Sequence, residues 1–140
     1  MEYDRMLAEL FEQEDRAREM ASRLMQMAQT SRTAACAERE SLIAFLRGPM
    51  EHHMAYEERS VFPQLVDHGL APEVQVATKH HTSLRQAADK LEAAPPDADV
   101  AELVFDVARL MLHHTNFEGD YIYPELSHDS WRALMKASVT

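Results

Sequence analysis

Eight histidines stand in this chain of 140 residues, and six of them form three doublets, His52-His53, His80-His81 and His113-His114. Two of the doublets open the same pattern. The stretch from His52 to Leu65 aligns without a gap to the stretch from His113 to Leu126, and both read HHxx[YF]Exxx[VI][FY]PxL. In each copy a histidine is followed four residues later by a glutamate, His53 by Glu57 and His114 by Glu118. On a helix that spacing sets both side chains on one face, about 6 Å apart along the axis. An imidazole and a carboxylate so placed suit metal ligation, because the carboxylate can bridge two cations while the imidazole caps one of them. The plain alternative is a pair of surface contacts worth a few tenths of a kcal/mol each. Which of the two applies depends on whether these faces point inward.

Helical elements are the expected carriers. Three glycines and six prolines are few for a chain of this length, which argues against an all-β or loop-rich fold. A first segment runs from about Glu2 to Gln29 without a Gly or Pro. A small polar turn follows, in which Ser31 or Thr33 can cap a second segment from about Ala34 to Val66. Gly69 suits the left-handed position that closes that segment. Pro72 suits the first turn of a third segment reaching about Ala93. Ala94-Pro95-Pro96-Asp97-Ala98 breaks the chain, and Asp99 with Glu102 forms a capping box for the fourth segment. Pro63 and Pro124 should each kink or restart a helix, and Pro49 either kinks the second segment or divides it. A short last helix is expected at about 129–136, carrying Trp131. Four long helices with short links predict an all-α fold, an antiparallel up-down-up-down four-helix bundle over about 2–126, and one domain over 1–140.

The core stripes of these helices are interrupted in a regular way. The first segment offers Tyr3, Leu7, Leu10, Glu14, Ala17, Ala21, Leu24 and Ala28, with Glu14 as the one charge. The third offers Val74, Ala77, His81, Leu84, Ala88 and Leu91, and the fourth Val100, Leu103, Val107, Leu110, His114, Phe117 and Tyr121. The second is less regular, but Leu42, Leu46, His53 and either Tyr56 or Glu57 share a face. Every helix therefore turns one ionisable residue inward. Burying an unpaired carboxylate costs several kcal/mol, against a typical domain stability of about 5–15 kcal/mol. No Lys or Arg falls on these stripes to compensate, so a metal is the economical counter-charge. Three histidines and three carboxylates suit a pair of iron or manganese ions, whereas a single zinc ion would use only four of them.

Composition narrows the context. A net charge of −10 excludes nucleic acid and anionic membrane as main partners. No apolar run approaches the roughly 18 residues of a membrane span, and MEYDRMLAEL has acids where a signal peptide would be basic. A single cysteine, Cys36, permits no internal disulfide, and a reducing cytoplasm is the expected location. No feature names a protein partner, and both a monomer and a homodimer are compatible with the sequence.

The two His-x3-Glu motifs, with His81 between them, resemble the hemerythrin-like HHE cation-binding family over residues 2–126. That resemblance implies a bundle enclosing a non-haem di-iron centre with an Fe–O–Fe core. Glu57 and Glu118 would then bridge, and His53, His81 and His114 would be terminal ligands. Where such proteins usually carry a first-helix histidine, this chain has Glu14, within Gln13-Glu14-Asp15-Arg16-Ala17-Arg18. Where oxygen carriers have a further histidine four residues before His81, it has Ala77, and its last motif is H-x3-E rather than H-x4-D. A carboxylate in place of an imidazole is expected to favour the ferric state and weaken reversible dioxygen binding.

The metal ligands expected are thus Glu14, His53, Glu57, His81, His114 and Glu118, holding two iron ions, with manganese or zinc as substitutes. The expected role is redox chemistry on, or sensing of, a diatomic gas or peroxide, with di-iron oxidoreductase activity left open. Iron handling, iron–sulfur repair, or a metal-stabilised regulatory domain are the alternatives. His52, His80 and His113 read as exposed or as supporting the neighbouring ligand, and Glu58 as a carboxylate that orients a histidine or as a solvated charge. Tyr56 and Tyr121 read as packed phenols with iron ligation as the alternative.

Overall fold

The computed structural model describes residues 2–126, with side chains from Arg5 onward. Tyr3 and the helix expected at 129–136 with Trp131 lie outside the described side chains and residues. Within that range the elements are α1 (Glu2–Thr30), α2 (Arg32–Ala37), α3 (Arg39–Phe45), α4 (Glu51–Tyr56), α5 (Phe62–Asp67), α6 (Ala71–Ala93), α7 (Ala101–Tyr121) and α8 (Tyr123–Leu126). Leu46–Met50 and Glu57–Val61 are π-helical turns, so the chain stays helical from α3 through α5. Among the described residues there is no strand, and no helix is long and apolar enough to cross a membrane.

The links follow local chemistry. Ser31 caps α2, its hydroxyl accepting from the Ala34 amide at 3.2 Å. Gly69 takes φ +93° after α5, the left-handed conformation that costs a residue without Cβ nothing. Pro72 sits in the first turn of α6. Asp99 accepts from the Ala101 amide at 3.0 Å, but Glu102 turns to Arg32 at 3.7 Å rather than back onto the cap. Only half of the expected capping box forms. Pro63 and Pro124 each occupy the first turn of a new helix, α5 and α8, so both restart the helix rather than bend it.

Side-chain contacts fix the directions of the helices. Phe11 meets Tyr123, Arg18 donates to Asn116 Oδ1 at 3.2 Å, and Arg32 pairs with Asp99 at 2.8 Å, so α1 and α7–α8 run antiparallel. Arg39 donates to the carbonyls of Ala94 and Pro95, Arg47 pairs with Asp89 and Glu92, and Arg85 reaches Glu51 and Glu58. The second segment and α6 are therefore antiparallel too. Gln13 against His53 and Arg23 against Glu38 show the same for α1 and the second segment.

Two apolar clusters form within this bundle. One gathers Ala17, Leu24, Leu42, Met50, Met54, Leu84, Leu91, Val104 and Met111, and the other Leu7, Leu10, Val61, Phe62, Leu65, Val74, Ala77 and Ile122. Each helix passes from one cluster to the other through a polar position. Glu14 lies between Leu10 and Ala17, His81 between Ala77 and Leu84, and the pairs His53–Glu57 and His114–Glu118 lie at the corresponding places. The fold thus sandwiches one polar layer between two apolar ones.

Candidate metal centre

Each of the six expected ligands is buried: Glu14 is 3% exposed, His53 2%, and Glu57, His81, His114 and Glu118 are fully enclosed. They converge in one cage. Glu57, His81, His114 and Glu118 offer ligand atoms close enough to share one ion, and Glu14, His53 and Glu118 form a second such group. Glu118 belongs to both. Its Oε1 is 3.1 Å from His114 Nε2 and 4.0 Å from His53 Nε2, and its Oε2 is 3.9 Å from His81 Nε2. Glu57 spans the groups as well, with Oε1 3.3 Å from His81 Nε2 and Oε2 3.5 Å from His53 Nε2. Glu14 Oε2 lies 3.7 Å from His53 Nε2.

The inward-facing atoms have almost no hydrogen bonds. Both oxygens of Glu14 and of Glu118, Oε1 of Glu57, and Nε2 of His81 and His114 are buried without a partner. A buried polar atom left unpaired costs about 1–3 kcal/mol, so seven in one place would consume a typical domain's stability. A cationic group between them would satisfy all seven. Among the described residues no Lys or Arg is buried to take that place. The donor set, imidazole and carboxylate without thiolate, fits first-row metal ions such as iron or manganese.

Outside the cage, each histidine is oriented through its other nitrogen. His81 Nδ1 donates to Glu58 Oε2 at 2.6 Å, since a carboxylate can only accept. Arg85, one turn beyond His81, holds Glu58 with contacts of 2.9 and 3.1 Å and is itself clamped by Glu51 at 2.8 and 2.9 Å. His53 Nδ1 donates to Gln13 Oε1 at 2.5 Å, and His114 Nδ1 meets His80 Nδ1 at 3.0 Å. With Nδ1 engaged in this way, Nε2 of each ring faces the cage. Such outer partners fix ring orientation and raise ligand basicity at metal sites.

The profile of the Hemerythrin HHE cation binding domain matches residues 5–126. The chain belongs to this family. Neither a curated protein nor a solved structure matches the chain.

In this HHE domain the position before His81 on the inner face of α6 is indeed taken by a methyl group. Ala77 is fully buried in the apolar cluster that holds Phe62 and Val74 and brings no donor to the cage. The phenols differ from expectation. Of the predicted stripe on the fourth segment Val100, Val107 and His114 are buried, but Leu103, Leu110 and Phe117 are half-buried and Tyr121 is 56% exposed, because the buried face also takes in Val104, Met111 and Glu118, one residue along. Tyr56 is half-buried with Arg59 over its ring. The phenol at the cage is Tyr123, 2% exposed, its hydroxyl 2.7 Å from Glu57 Oε2 and 3.1 Å from His53 Nε2. The repeat carried a signal for it. Tyr123 aligns with Phe62, whose ring stacks on His81 at 5.4 Å, so the two copies differ by a hydroxyl where each meets the site.

Electrostatics in the HHE cage follow from three carboxylates in one buried volume. Burial, then the negative charge of Glu57, pushes Glu14 up to about 8. The same causes in the same order push Glu118 well above the usual carboxylate range. Burial opposes ionisation of Glu57 too, yet His53 and the contacts from His53 and His81 outweigh it and hold its carboxyl well below that range. His114 is lowered to about 3, chiefly by burial. Burial and the neighbouring carboxylates push the Tyr123 phenol up. Without a cation this layer keeps protons on two carboxylates. A divalent or trivalent ion reverses that balance.

A cavity of about 220 Å³, lined by Phe11, Glu14, Asp15, Arg18, Gly119, Tyr123 and Pro124, borders the cage, and two smaller ones lie nearby. One of about 70 Å³ is lined by Gln13, Glu14, Phe45, Pro49, Met50 and His53. A second of about 90 Å³ lies beside Gln13, His52, His53 and Tyr56. Both touch the Glu14–His53 side.

Proposed function

We propose that this HHE domain is a non-haem di-iron protein that senses or processes a diatomic gas or peroxide. The observation that carries the reading is the shared placement of Glu118 and Glu57 between two groups of buried, unpartnered ligand atoms. A single ion would leave Glu14 with His53, or His81 with His114, uncompensated. Iron, when bound, supplies a reversible redox change and an exchangeable coordination position. The chain supplies the geometry: Glu58, Gln13 and His80 hold the imidazoles in register, and the two apolar clusters exclude bulk water from the ligand layer. Cavities of about 70 to 220 Å³ beside Glu14, His53 and Tyr123 favour a small reactant, since sites for larger organic ligands hold roughly 300–1,000 Å³.

The test is metal content per chain after growth with iron, with optical spectra before and after reduction and on exposure to air or nitric oxide. The expected result is about two irons per chain, with near-ultraviolet oxo-to-iron bands that bleach on reduction and change with the gas. Zinc alone, or less than one metal in a chain that folds equally well after chelation, would overturn the reading. Two irons lost rapidly to a weak chelator, with no response to gas, would favour iron delivery instead.

A further inference from the structure

Among the described residues, Tyr123 is a buried phenol outside the expected ligand set whose hydroxyl lies within 3.1 Å of two of those ligands, Glu57 and His53. It opens α8, just past the break at Ile122, and its ring packs on Phe11 at 5.3 Å between centroids. The break matters, because a residue continuing α7 without interruption would follow the helix face and not return to the cage five residues after Glu118. Pro124 enforces the restart and so presents the Tyr123 hydroxyl to the site.

The separations around this hydroxyl are those of neighbouring ligands. Two donor atoms each about 2.1 Å from one metal ion lie about 3 Å apart at a right angle and about 4 Å apart when opposed. Tyr123 Oη is 2.7 Å from Glu57 Oε2 and 3.1 Å from His53 Nε2. The other distances from His53 Nε2, 3.7 Å to Glu14 and 4.0 Å to Glu118, fall at the wider end of the same range. The hydroxyl therefore sits at an edge of the same polyhedron as the accepted donors. The opposite half of the cage has no counterpart, since its equivalent residue, Phe62, ends in a hydrogen.

We propose that Tyr123 is a seventh protein ligand, binding as a phenolate to the ion held by Glu14 and His53. This rests on the metal-binding reading above. On loading, the phenolic O–H breaks, the oxygen bonds to the ion, and the proton leaves to water. The two ions then differ in kind: one has two imidazoles, His81 and His114, and the other one imidazole, a terminal carboxylate and a phenolate. The phenolate adds a further negative charge on the Glu14 side and favours the ferric state of that ion.

Ferric phenolates absorb visible light by ligand-to-metal charge transfer, a signature that a purely hydrogen-bonded tyrosine lacks. The ferric-loaded wild-type chain is expected to show that band, with tyrosinate ring modes enhanced in resonance Raman spectra excited within it. Tyr123→Phe should lose both at unchanged iron content. A chain with Tyr3, Tyr56 and Tyr121 all changed to Phe keeps Tyr123 as its one tyrosine of four and should retain both. That variant decides the assignment even if Tyr123→Phe does not fold. Full iron loading without the band in wild type, or a band that the triple variant loses, overturns the proposal and leaves the di-iron reading standing. No iron uptake at all overturns both.

Discussion

Glu58 accepts a 2.6 Å hydrogen bond from Nδ1 of His81, and the two residues stand on helices that only tertiary packing brings together. The contact is half-buried and anchored on its outer side by Arg85, whose positive charge and donors, with those of His81, hold Glu58 below its ordinary range against the opposing effect of burial. Glu58 thus stays ionised and acceptor-only. Replacing it should cost the site without emptying it. Glu58→Ala is expected to weaken metal affinity about 10–100-fold, the usual effect of losing such a partner, while the metal-free chain keeps its helicity. Competition against a chelator of known affinity measures the first, and far-ultraviolet circular dichroism the second.

Glu14 is buried among groups that give both of its oxygens no partner. In the metal-free chain it is therefore a burden, and an apolar side chain of similar volume should fit better. Glu14→Met is expected to stabilise the metal-free protein at pH 8 by about 1–4 kcal/mol, the range seen when buried ionic groups are replaced by apolar ones. The same change should reduce loading to about one ion per chain, because the second group would lose its terminal carboxylate and keep, beside the shared carboxylates, only His53 and the Tyr123 oxygen. Denaturant unfolding after chelation and elemental analysis after loading separate the two effects. A variant that loses stability without metal would show that Glu14 has a structural partner.

The apolar clusters should behave differently from the cage between them. Leu91 is fully buried in the larger cluster, about 15 Å along α6 from His81. Leu91→Ala is expected to cost about 2–5 kcal/mol by leaving a cavity. Metal content per folded chain should not change, since no ligand or its outer partner touches that position. Equal losses of stability and metal would mean that the layers are coupled.

How far the residue pattern reveals this arrangement depends on how regular each helix is. On α6 each predicted stripe position, from Val74 through His81 to Leu91, is buried, because the helix is uninterrupted and its period constant. The second segment is harder to read for a physical reason. Its π-helical turns hold more residues than an α-helical turn, so Leu42, Leu46, Met50, Met54 and Val61 stay on one side at a spacing that a 3.6-residue period would rotate away. Gln13 and His80 are legible only once helices are docked, since each serves a histidine on another helix. The repeat hides as much as it shows. Glu58 and Phe62 in one copy face Gly119 and Tyr123 in the other, and these two differences mark where the halves of the cage are built unlike each other.

The charges of the empty and loaded cage make opposite demands on pH. Between pH 6.5 and 8.5 the unfolded chain holds no protons on its glutamates, and on its histidines a share that falls from about half to almost none. The folded, metal-free chain still holds them on Glu118, on Glu14 up to about 8, and on His53, whose neighbours Glu57 and Glu14 raise it against the opposing effect of burial. Folded chains that bind more protons than unfolded ones lose stability as pH rises, by about 1.4 kcal/mol per unit for each proton concerned. Glu57 does not oppose this, because both its folded and unfolded forms are ionised across the window; His114, lowered to about 3, opposes it only near pH 6.5, where its unfolded imidazole still holds part of a proton. The chelated protein should therefore melt at a lower temperature at pH 8.5 than at pH 6.5. Metal binding runs the other way: the ligands must be deprotonated, so affinity rises over the same interval as protons are released. Thermal melts of chelated and loaded protein at both pH values test the pair. The expected result is a gap in melting temperature between loaded and chelated protein that widens from pH 6.5 to 8.5. A gap that narrows would mean that Glu14 and Glu118 are already ionised in the empty cage and that another group neutralises them there.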